Sequence, residues 1–142
     1  HTHHMASARD SLAAVAPGIR PGVPTLGQLS NADGALVTDG AELVSRLVTQ
    51  VAAPVRWDLC LEAMRRAGVT AVIELPPAGT LAGIARRELR GAKILAVKTP
   101  DDLPAARELI AESLPPAGAP APAAGLPAGS ANTDGALVGA AS

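Results

Sequence analysis

Hydrophobic side chains recur at helical spacing in the middle of the chain. The first such stripe follows Asp39 and comprises Leu43, Val44, Leu47, Val48 and Val51. The Asp39 carboxylate can accept hydrogen bonds from the first backbone N–H groups of a helix, and Glu42 would complete a capping box. The pattern therefore predicts a helix that begins after Asp39 and ends before Pro54, since proline cannot continue the hydrogen-bond ladder.

A second apolar stripe follows directly, and a short β-rich run comes after it. The stripe comprises Trp57, Cys60, Leu61, Met64 and Ala67. Gly68 stands where a left-handed residue commonly ends a helix. Residues 70–75 then read Thr-Ala-Val-Ile-Glu-Leu, and two prolines follow them. A run of this kind predicts a strand that is buried on both faces, as in a parallel sheet.

The order of helix and strand then repeats. Residues 79–89 predict a helix, and residues 93–97 predict a second strand. Thr99 and Pro100 suit the start of a last helix. Its expected buried face comprises Leu103, Ala106, Ile110 and Leu114. Because strands alternate with helices, the sequence predicts an α/β fold with a mainly parallel sheet over residues 1–114.

The composition changes after Leu114. Residues 115–142 are mostly Pro, Ala, Gly and Ser, with Asp134 as their only charged residue. Such a segment offers too little apolar surface to offset the entropy lost on ordering. The sequence therefore predicts a flexible tail over 115–142 and one domain, or part of one, over 1–114.

Charge and cysteine content narrow the classes of function. Twelve Lys and Arg against thirteen Asp and Glu give a net charge of −1, which provides no general attraction to nucleic acid or anionic membrane. No apolar run approaches the roughly 20 residues that cross a bilayer. Cys60 is the single cysteine, so no internal disulfide can form, and its place on an apolar helical face predicts a core residue. We expect a cytoplasmic protein without nucleic-acid or membrane partners.

Several short motifs occur in a fixed order along the chain. Pro-Val-Arg-Trp at 54–57 follows Gln50, Gly-Val-Thr comes at 68–70, and Glu-Leu-Pro-Pro-Ala-Gly-Thr-Leu comes at 74–81. Upstream lie Ser-Asn-Ala-Asp-Gly at 30–34 and His-Thr-His-His-Met at 1–5. In this order and spacing the chain resembles the carboxy-terminal part of bacterial malonyl-CoA:acyl-carrier-protein transacylases.

The resemblance implies both a fold and a reaction. The fold would be part of the α/β-hydrolase-like large subdomain of that acyltransferase family. In the reaction, a serine in a Gly-x-Ser-x-Gly turn attacks malonyl-CoA while a histidine takes its proton. The malonyl group then passes to the phosphopantetheine thiol of acyl carrier protein, with no metal or further cofactor.

The resemblance also assigns roles to individual residues. His1, four residues before Met5, takes the place of the catalytic base. Gln50 takes the place of the group that accepts a hydrogen bond from the far ring nitrogen and so fixes the tautomer. Asn31 would contact the substrate. The carrier protein would meet a basic group at the end of one helix, formed by Arg86, Arg87 and Arg90.

Plainer interpretations of the same residues stay open. Without the resemblance, the histidines at 1–4 suit a purification-tag remnant or a solvated end. A free amino terminus with His3 third in line could also chelate Cu(II) or Ni(II). Asn31 suits a turn, Gln50 suits a helix end, and a basic helix end is commonly solvated.

One element of the family reaction is missing from the sequence. No Gly-x-Ser-x-Gly occurs in the 142 residues, and Ser7 stands where the family tends to have proline. Two hypotheses follow. The chain is a partial enzyme that works only with the amino-terminal part of the same enzyme, or it is a non-catalytic remnant that keeps the α/β layer for protein contact.

Overall fold

The structure, a computed structural model, describes residues 1–114. The tail predicted at 115–142 lies outside the described residues. Within 1–114 the helices and strands are α1 Ala6–Val15, β1 Gln28–Leu29, β2 Leu36–Val37, α2 Gly40–Gln50, α3 Trp57–Arg66, β3 Ala71–Glu74, α4 Thr80–Glu88, β4 Lys93–Ala96 and α5 Leu103–Ser113. None of these helices is long and apolar enough to cross a membrane.

The second half of the described chain is a layer of helices on a two-stranded parallel sheet. β3 and β4 pair in parallel, with Ala71 opposite Lys93 and Glu74 opposite Ala96, and α4 connects them. α3 and α4 cover one side of this sheet through a buried cluster of Leu61, Ala85 and Leu89. The predicted order of helices and strands, and the parallel pairing, are confirmed.

The prediction that β3 is buried on both faces is wrong. All four of its residues are half-buried, and Leu75 just beyond it is 71% exposed. The physical reason is that within residues 1–114 β4 is the only strand that pairs with β3. A strand at the edge of a two-stranded sheet cannot be enclosed as an inner strand would be.

The expectation of a mainly parallel sheet also needs correction. β1 and β2 form a separate antiparallel pair, with Gln28 opposite Val37 and Leu29 opposite Leu36. Only residues 30–35 separate the two strands. A parallel connection needs a crossover of about a dozen residues, so this short turn permits only a hairpin. The fold is therefore mixed α/β, with small parallel and antiparallel sheets.

Helix α2 begins as predicted but without the full capping box. The Asp39 Oδ1 accepts a hydrogen bond from the Glu42 backbone N–H at 2.7 Å. The Glu42 carboxylate does not return to the cap; its Oε1 accepts instead from the Nε of Arg46 at 2.8 Å. An arginine one turn along the helix is the stronger partner because it carries a full charge.

Helix α5 buries a narrower face than the sequence predicted. Ala106 and Leu109 are buried, whereas Leu103, Ile110 and Leu114 are 45%, 46% and 64% exposed. α5 contacts β3, and Ala106 and Leu109 lie three residues apart on one side of the helix. No described element covers the neighbouring side, which leaves the other three side chains in solvent.

A single carboxylate joins the end of β3 to the start of α4. Glu74 Oε2 accepts from the backbone N–H groups of Gly79 and Ala82, both at 2.8 Å, and Oε1 accepts from Leu81 at 3.0 Å. Desolvation by burial, acting alone, would raise the pKa of Glu74. The three backbone hydrogen bonds and the charge of Arg86 outweigh it, so the pKa lies below its usual value.

Replacing Gly34 by alanine should destabilise the chain. Gly34 has a φ of +70°, and a Cβ there would lie 2.6 Å from the backbone carbonyl carbon of Leu59. We expect Gly34→Ala to lower the free energy of unfolding by about 2 kcal/mol or more. Gly83 in α4 is the matched control, because a Cβ there meets nothing within 4 Å. Gly83→Ala should raise stability by about 0.5–1 kcal/mol. Equal denaturation midpoints for the two variants would contradict this account.

Replacing Glu74 by glutamine should change how stability depends on pH. A carboxyl group whose folded pKa is lowered stabilises the fold above its unfolded pKa, about 4.3, and loses that effect as pH falls through the folded value. The melting temperature of Glu74→Gln should therefore lie below that of the wild type at neutral pH. The gap should narrow as the pH falls below about 4. Glu108→Gln is the control, since that exposed carboxylate makes no hydrogen bond within residues 1–114. A gap that stays constant with pH would show that the Glu74 charge is not what holds α4.

Candidate active site

His1 is held by the end of helix α2. Its ring Nδ1 lies 2.7 Å from the backbone carbonyl oxygen of Gln50, across 49 residues of sequence. A carbonyl oxygen only accepts hydrogen bonds, so the proton in this contact belongs to Nδ1. The neutral ring therefore has its lone pair on Nε2, which is the arrangement that a general base needs.

The Gln50 carbonyl suits this contact because it lies at the carboxyl end of a helix. The last four carbonyl groups of a helix have no partner within the helix. This one accepts a hydrogen bond from the Ala53 backbone N–H at 3.3 Å and uses its second lone pair for His1. The negative end of the helix dipole also favours positive charge on the ring. The position thus selects a single tautomer of the His1 ring.

The Gln50 side chain has a different task. Its Nε2 donates to the backbone carbonyl groups of Ala53 and Pro54, each at 3.2 Å, and the residue is only 8% exposed. These two bonds fold the chain back over the end of α2. The structure therefore brings His1 and Gln50 together, but through the backbone of Gln50 and not through its amide group.

Arg46, one helical turn before Gln50, connects the same end of α2 to the turn between β1 and β2. Its Nη1 donates to Ser30 Oγ at 3.0 Å and to Asp33 Oδ2 at 2.9 Å. Burial raises the pKa of Asp33, but hydrogen bonds from Arg46 and from the Ala35 backbone outweigh it and hold that pKa below its usual value. No sequence motif pointed to Arg46. Its spacing of four residues from Glu42 was the one available signal.

Asn31 lies beside Gln50. Both residues line a small cavity of about 160 Å³, together with Arg46. The Asn31 backbone carbonyl accepts from the Arg56 backbone N–H at 2.7 Å, which fixes the hairpin turn to the segment that enters α3. His1 is not among the residues that line this cavity, and the hydrogen bond of its ring goes to Gln50 and not to Asn31.

Cys60 is a core residue, as the sequence predicted. It is 1% exposed, and its Sγ donates to the Ser30 backbone carbonyl at 3.4 Å. Burial, followed by the charges of Asp33 and Asp58, raises the pKa of the Cys60 thiol above its usual value. A thiol that resists ionisation is a poor nucleophile.

The three arginines near the end of α4 do not occupy one place. The Nη2 of Arg86 donates to the Ile94 backbone carbonyl at 3.4 Å. Arg90 lines a cavity of about 450 Å³ with Thr70, which precedes β3, so it lies at the amino ends of the parallel strands. Trp57, which begins α3, instead lines a groove at the carboxyl end of β3. Gln50 is connected to the carboxyl end of β3 by its hydrogen bond to Pro54, which lies shortly before Trp57 in the chain. The structure therefore does not bring Arg90 together with His1 and Gln50.

The other two histidines contact each other. The rings of His3 and His4 have centroids 3.8 Å apart, and neither ring makes a hydrogen bond within the described part of the chain. Among residues 1–114, no three His, Cys, Asp or Glu side chains lie close enough to hold a metal ion. His1 is thus the one histidine in this region whose ring position is fixed by a partner from another segment.

Comparison with known proteins agrees with the motifs. No protein-family model matches the chain. The malonyl CoA-acyl carrier protein transacylase of Mycobacterium tuberculosis is 53% identical over 103 residues, which cover 72% of this chain and 34% of that protein. The crystal structure of MCAT from Mycobacterium tuberculosis matches with a TM-score of 0.68 at 52% identity, covering 77% of this chain and 35% of that one.

A further similar structure contains a partner protein. It is a type II polyketide acyl carrier protein in complex with its malonyl-transacylase, and it matches at 30% identity with a TM-score of 0.66. The match covers 76% of this chain and 35% of that one. The resemblance carried by the motifs at 30–34 and 54–81 is confirmed. The chain belongs to the malonyl-CoA:acyl-carrier-protein transacylase family, and it spans about a third of the length of the relatives it matches.

Proposed function

We propose that this chain supplies the histidine of a Ser-His acyl transfer that moves malonyl from malonyl-CoA to the phosphopantetheine thiol of acyl carrier protein. The reaction would serve fatty acid or polyketide synthesis in the cytoplasm. Residues 1–114 would form part of an α/β-hydrolase-like large subdomain. The observation that carries the proposal is the hydrogen bond between His1 Nδ1 and the Gln50 carbonyl.

The first half-reaction forms an acyl-enzyme. The serine, on the part of the transacylase that this chain does not span, gives its hydroxyl proton to His1 Nε2 while its oxygen attacks the thioester carbonyl. The bond to the CoA sulfur then breaks, and the departing sulfur takes the proton from the imidazolium. The product is a malonyl-serine ester, and the Gln50 carbonyl steadies the transient positive charge on the ring.

The second half-reaction uses the same proton path in the opposite direction. The phosphopantetheine thiol gives its proton to His1 Nε2 and attacks the ester. The serine oxygen leaves with that proton, so the enzyme returns to its starting state. Because Nδ1 stays bonded to Gln50 throughout, the ring needs no reorientation between the two steps.

The remaining residues have supporting parts in the proposal. Asn31 would face the substrate side of the hairpin turn. Arg86, Arg87 and Arg90 would meet an acidic surface of the carrier protein, since clustered positive charge steers such encounters. The support is that a carrier protein accompanies the malonyl-transacylase in one similar structure. Coenzyme A thioester and the amino-terminal part of the same enzyme complete the set of proposed partners.

The purified chain should not form a covalent adduct with malonyl-CoA. It carries no Gly-x-Ser-x-Gly, and a histidine alone supplies only proton transfer. Intact-mass spectrometry after incubation with malonyl-CoA should show the unmodified mass. A stable adduct of malonyl mass on residues 1–142 would contradict the assignment of this chain to the histidine half.

Joined to the remaining part of the Mycobacterium tuberculosis relative, the chain should lose activity selectively when its site is altered. His1→Ala should lower kcat/KM for malonyl transfer about 100-fold or more, because the base is removed. Gln50→Ala should cost less than about 10-fold, since the backbone carbonyl that holds the ring survives the substitution.

His3→Ala and His4→Ala are the matched controls for this series. Neither ring makes a hydrogen bond within residues 1–114, so both variants should keep nearly full activity. If His3→Ala or His4→Ala is the crippling change while His1→Ala is tolerated, the base has been assigned to the wrong histidine. If every variant of the joined protein is inactive toward malonyl-CoA, the result favours the hypothesis that the chain is a non-catalytic remnant.

A further inference from the structure

The turn between β1 and β2 is held against the start of helix α3. A Cβ on Gly34 would lie 2.6 Å from the Leu59 backbone carbonyl carbon, so the two backbones are in close contact. The Asn31 backbone carbonyl accepts from the Arg56 backbone N–H at 2.7 Å. Both contacts use backbone atoms that no side-chain torsion can move. The turn is therefore a fixed support beside α3.

Helix α2 is bonded to this turn through one side chain. Arg46 donates from Nη1 to Ser30 Oγ at 3.0 Å and to Asp33 Oδ2 at 2.9 Å. Its Nε donates to Glu42 Oε1 at 2.8 Å, within α2 itself. Among residues 1–114, no other residue of α2 forms a hydrogen bond with the turn. The guanidinium of Arg46 thus joins the helix to a support that α3 holds in place.

Apolar packing between the hairpin and α2 leaves a gap. The cavity of about 160 Å³ lies between them, with Leu29 and Val37 of the hairpin on one side and Leu43 and Leu47 of α2 on the other. Side chains across a gap lose the dispersion contacts that would fix their separation. The bonds of Arg46 therefore have a larger part in setting the direction of α2 than they would beside a filled core.

Stability alone does not account for this arrangement. The side chain of Arg46 is 22% exposed, and those of Asp33 and Glu42 are 46% and 42% exposed. Ion pairs that are open to solvent contribute little to stability. The planar guanidinium still fixes direction as well as distance, because its N–H groups point at set angles. A lysine has one nitrogen and cannot hold partners on the helix and on the turn in the same geometry.

We propose that Arg46 is a positioning residue for the acyl transfer: it holds the end of α2 so that the Gln50 carbonyl faces the ring of His1. Gln50 follows Arg46 by one helical turn on the same side of α2, and its carbonyl oxygen lies 2.7 Å from His1 Nδ1. Hydrogen bonds weaken steeply as donor and acceptor fall out of line. Substituting Gln50 keeps that carbonyl in place, whereas loss of Arg46 moves the helix that carries it. The inference rests on the proposed function only in taking His1 as the base.

The His1 ring reports the effect without an assay of activity. Residues 1–142 would be labelled with nitrogen-15 in the imidazoles and measured where a further rise in pH no longer moves the ring resonances. In the wild type His1 should carry its proton on Nδ1. In Arg46→Met, which keeps an unbranched side chain but no donor, the two ring nitrogens should move toward each other as the ring averages between tautomers.

Two carboxylate variants separate the two sides of Arg46. In Asp33→Asn the single amide oxygen would be used by the Ala35 backbone N–H, as Asp33 Oδ1 is at 3.0 Å, so an NH2 group would face the guanidinium. This variant should shift the His1 resonances in the same direction as Arg46→Met. Glu42→Gln is the matched control: it changes the ion pair within α2 and should leave the His1 resonances in place. Combining Asp33→Asn with Arg46→Met should add nothing, because both break one contact.

Activity gives a second reading in the protein joined to the remaining part of the Mycobacterium tuberculosis relative. Arg46→Met should lower kcat for malonyl transfer about 5-fold or more and change KM for malonyl-CoA less than about twofold, since the base is misplaced while the substrate contacts stay. Arg46→Lys should recover the charge but not kcat. Glu42→Gln should keep nearly full kcat. A residue that only stabilised the fold would lower the melting temperature and leave kcat of the folded enzyme unchanged.

Three results would overturn the proposal. These are His1 resonances that are the same in Arg46→Met and the wild type, equal displacements in Glu42→Gln and Asp33→Asn, and an unchanged kcat for Arg46→Met in an active joined protein. If Arg46→Met does not fold, Asp33→Asn takes its place, and unchanged His1 resonances in that variant count against the proposal in the same way. A joined protein that transfers no malonyl in any variant would contradict the proposed function, and the NMR comparison would still decide this inference.

Discussion

The carboxyl end of helix α2 is where separate parts of the chain are held together. The Gln50 carbonyl receives the His1 ring, and the Gln50 amide holds the turn that leads toward α3. One turn earlier, Arg46 ties the hairpin to the same helix through Ser30 and Asp33. Each contact uses a group that the helix leaves free at its end or presents on one face. The candidate base is thus positioned by backbone geometry, which side-chain substitution alters least.

A second junction lies at the carboxyl end of β3. Glu74 joins the strand to α4 by hydrogen bonds, and the groove that Trp57 lines lies beside it. The first junction leads into this one through Pro54 and the start of α3. In open α/β layers, functional groups collect outside the carboxyl ends of parallel strands. The groove that Trp57 lines lies at this end of the layer, and Gln50, whose carbonyl holds the candidate base, is connected to it through Pro54.

Local patterns in the sequence predicted most of the elements but not how they are enclosed. The stripes after Asp39 and from Trp57 predicted α2 and α3 because amphipathic periodicity is set by residues near one another. The hairpin was missed since its strands have two residues each, too few to show alternation. The exposure of Leu75 and Ile110 was missed for a different reason. Periodicity shows that a face is apolar, whereas burial depends on what packs against it.

At the candidate site, too, the sequence identified residues but not the contacts between them. The motifs pointed to His1 and Gln50, and the structure joins them, but spacing alone could not decide between the side chain and the backbone at position 50. Helix ends offer both kinds of acceptor. Arg46 was not identified because its partners Ser30 and Asp33 lie 16 and 13 residues away, in a turn whose fold only the structure reveals.

The central claim is that the Gln50 backbone carbonyl fixes the tautomer of His1. It is tested most directly by long-range nitrogen–proton NMR correlation on the purified chain, with the imidazole nitrogens labelled with nitrogen-15. The account predicts that His1 carries its proton on Nδ1, that this proton exchanges slowly, and that Gln50→Ala leaves the tautomer unchanged. A His1 ring protonated on Nε2, or one that averages between tautomers as a solvated histidine does, would contradict it.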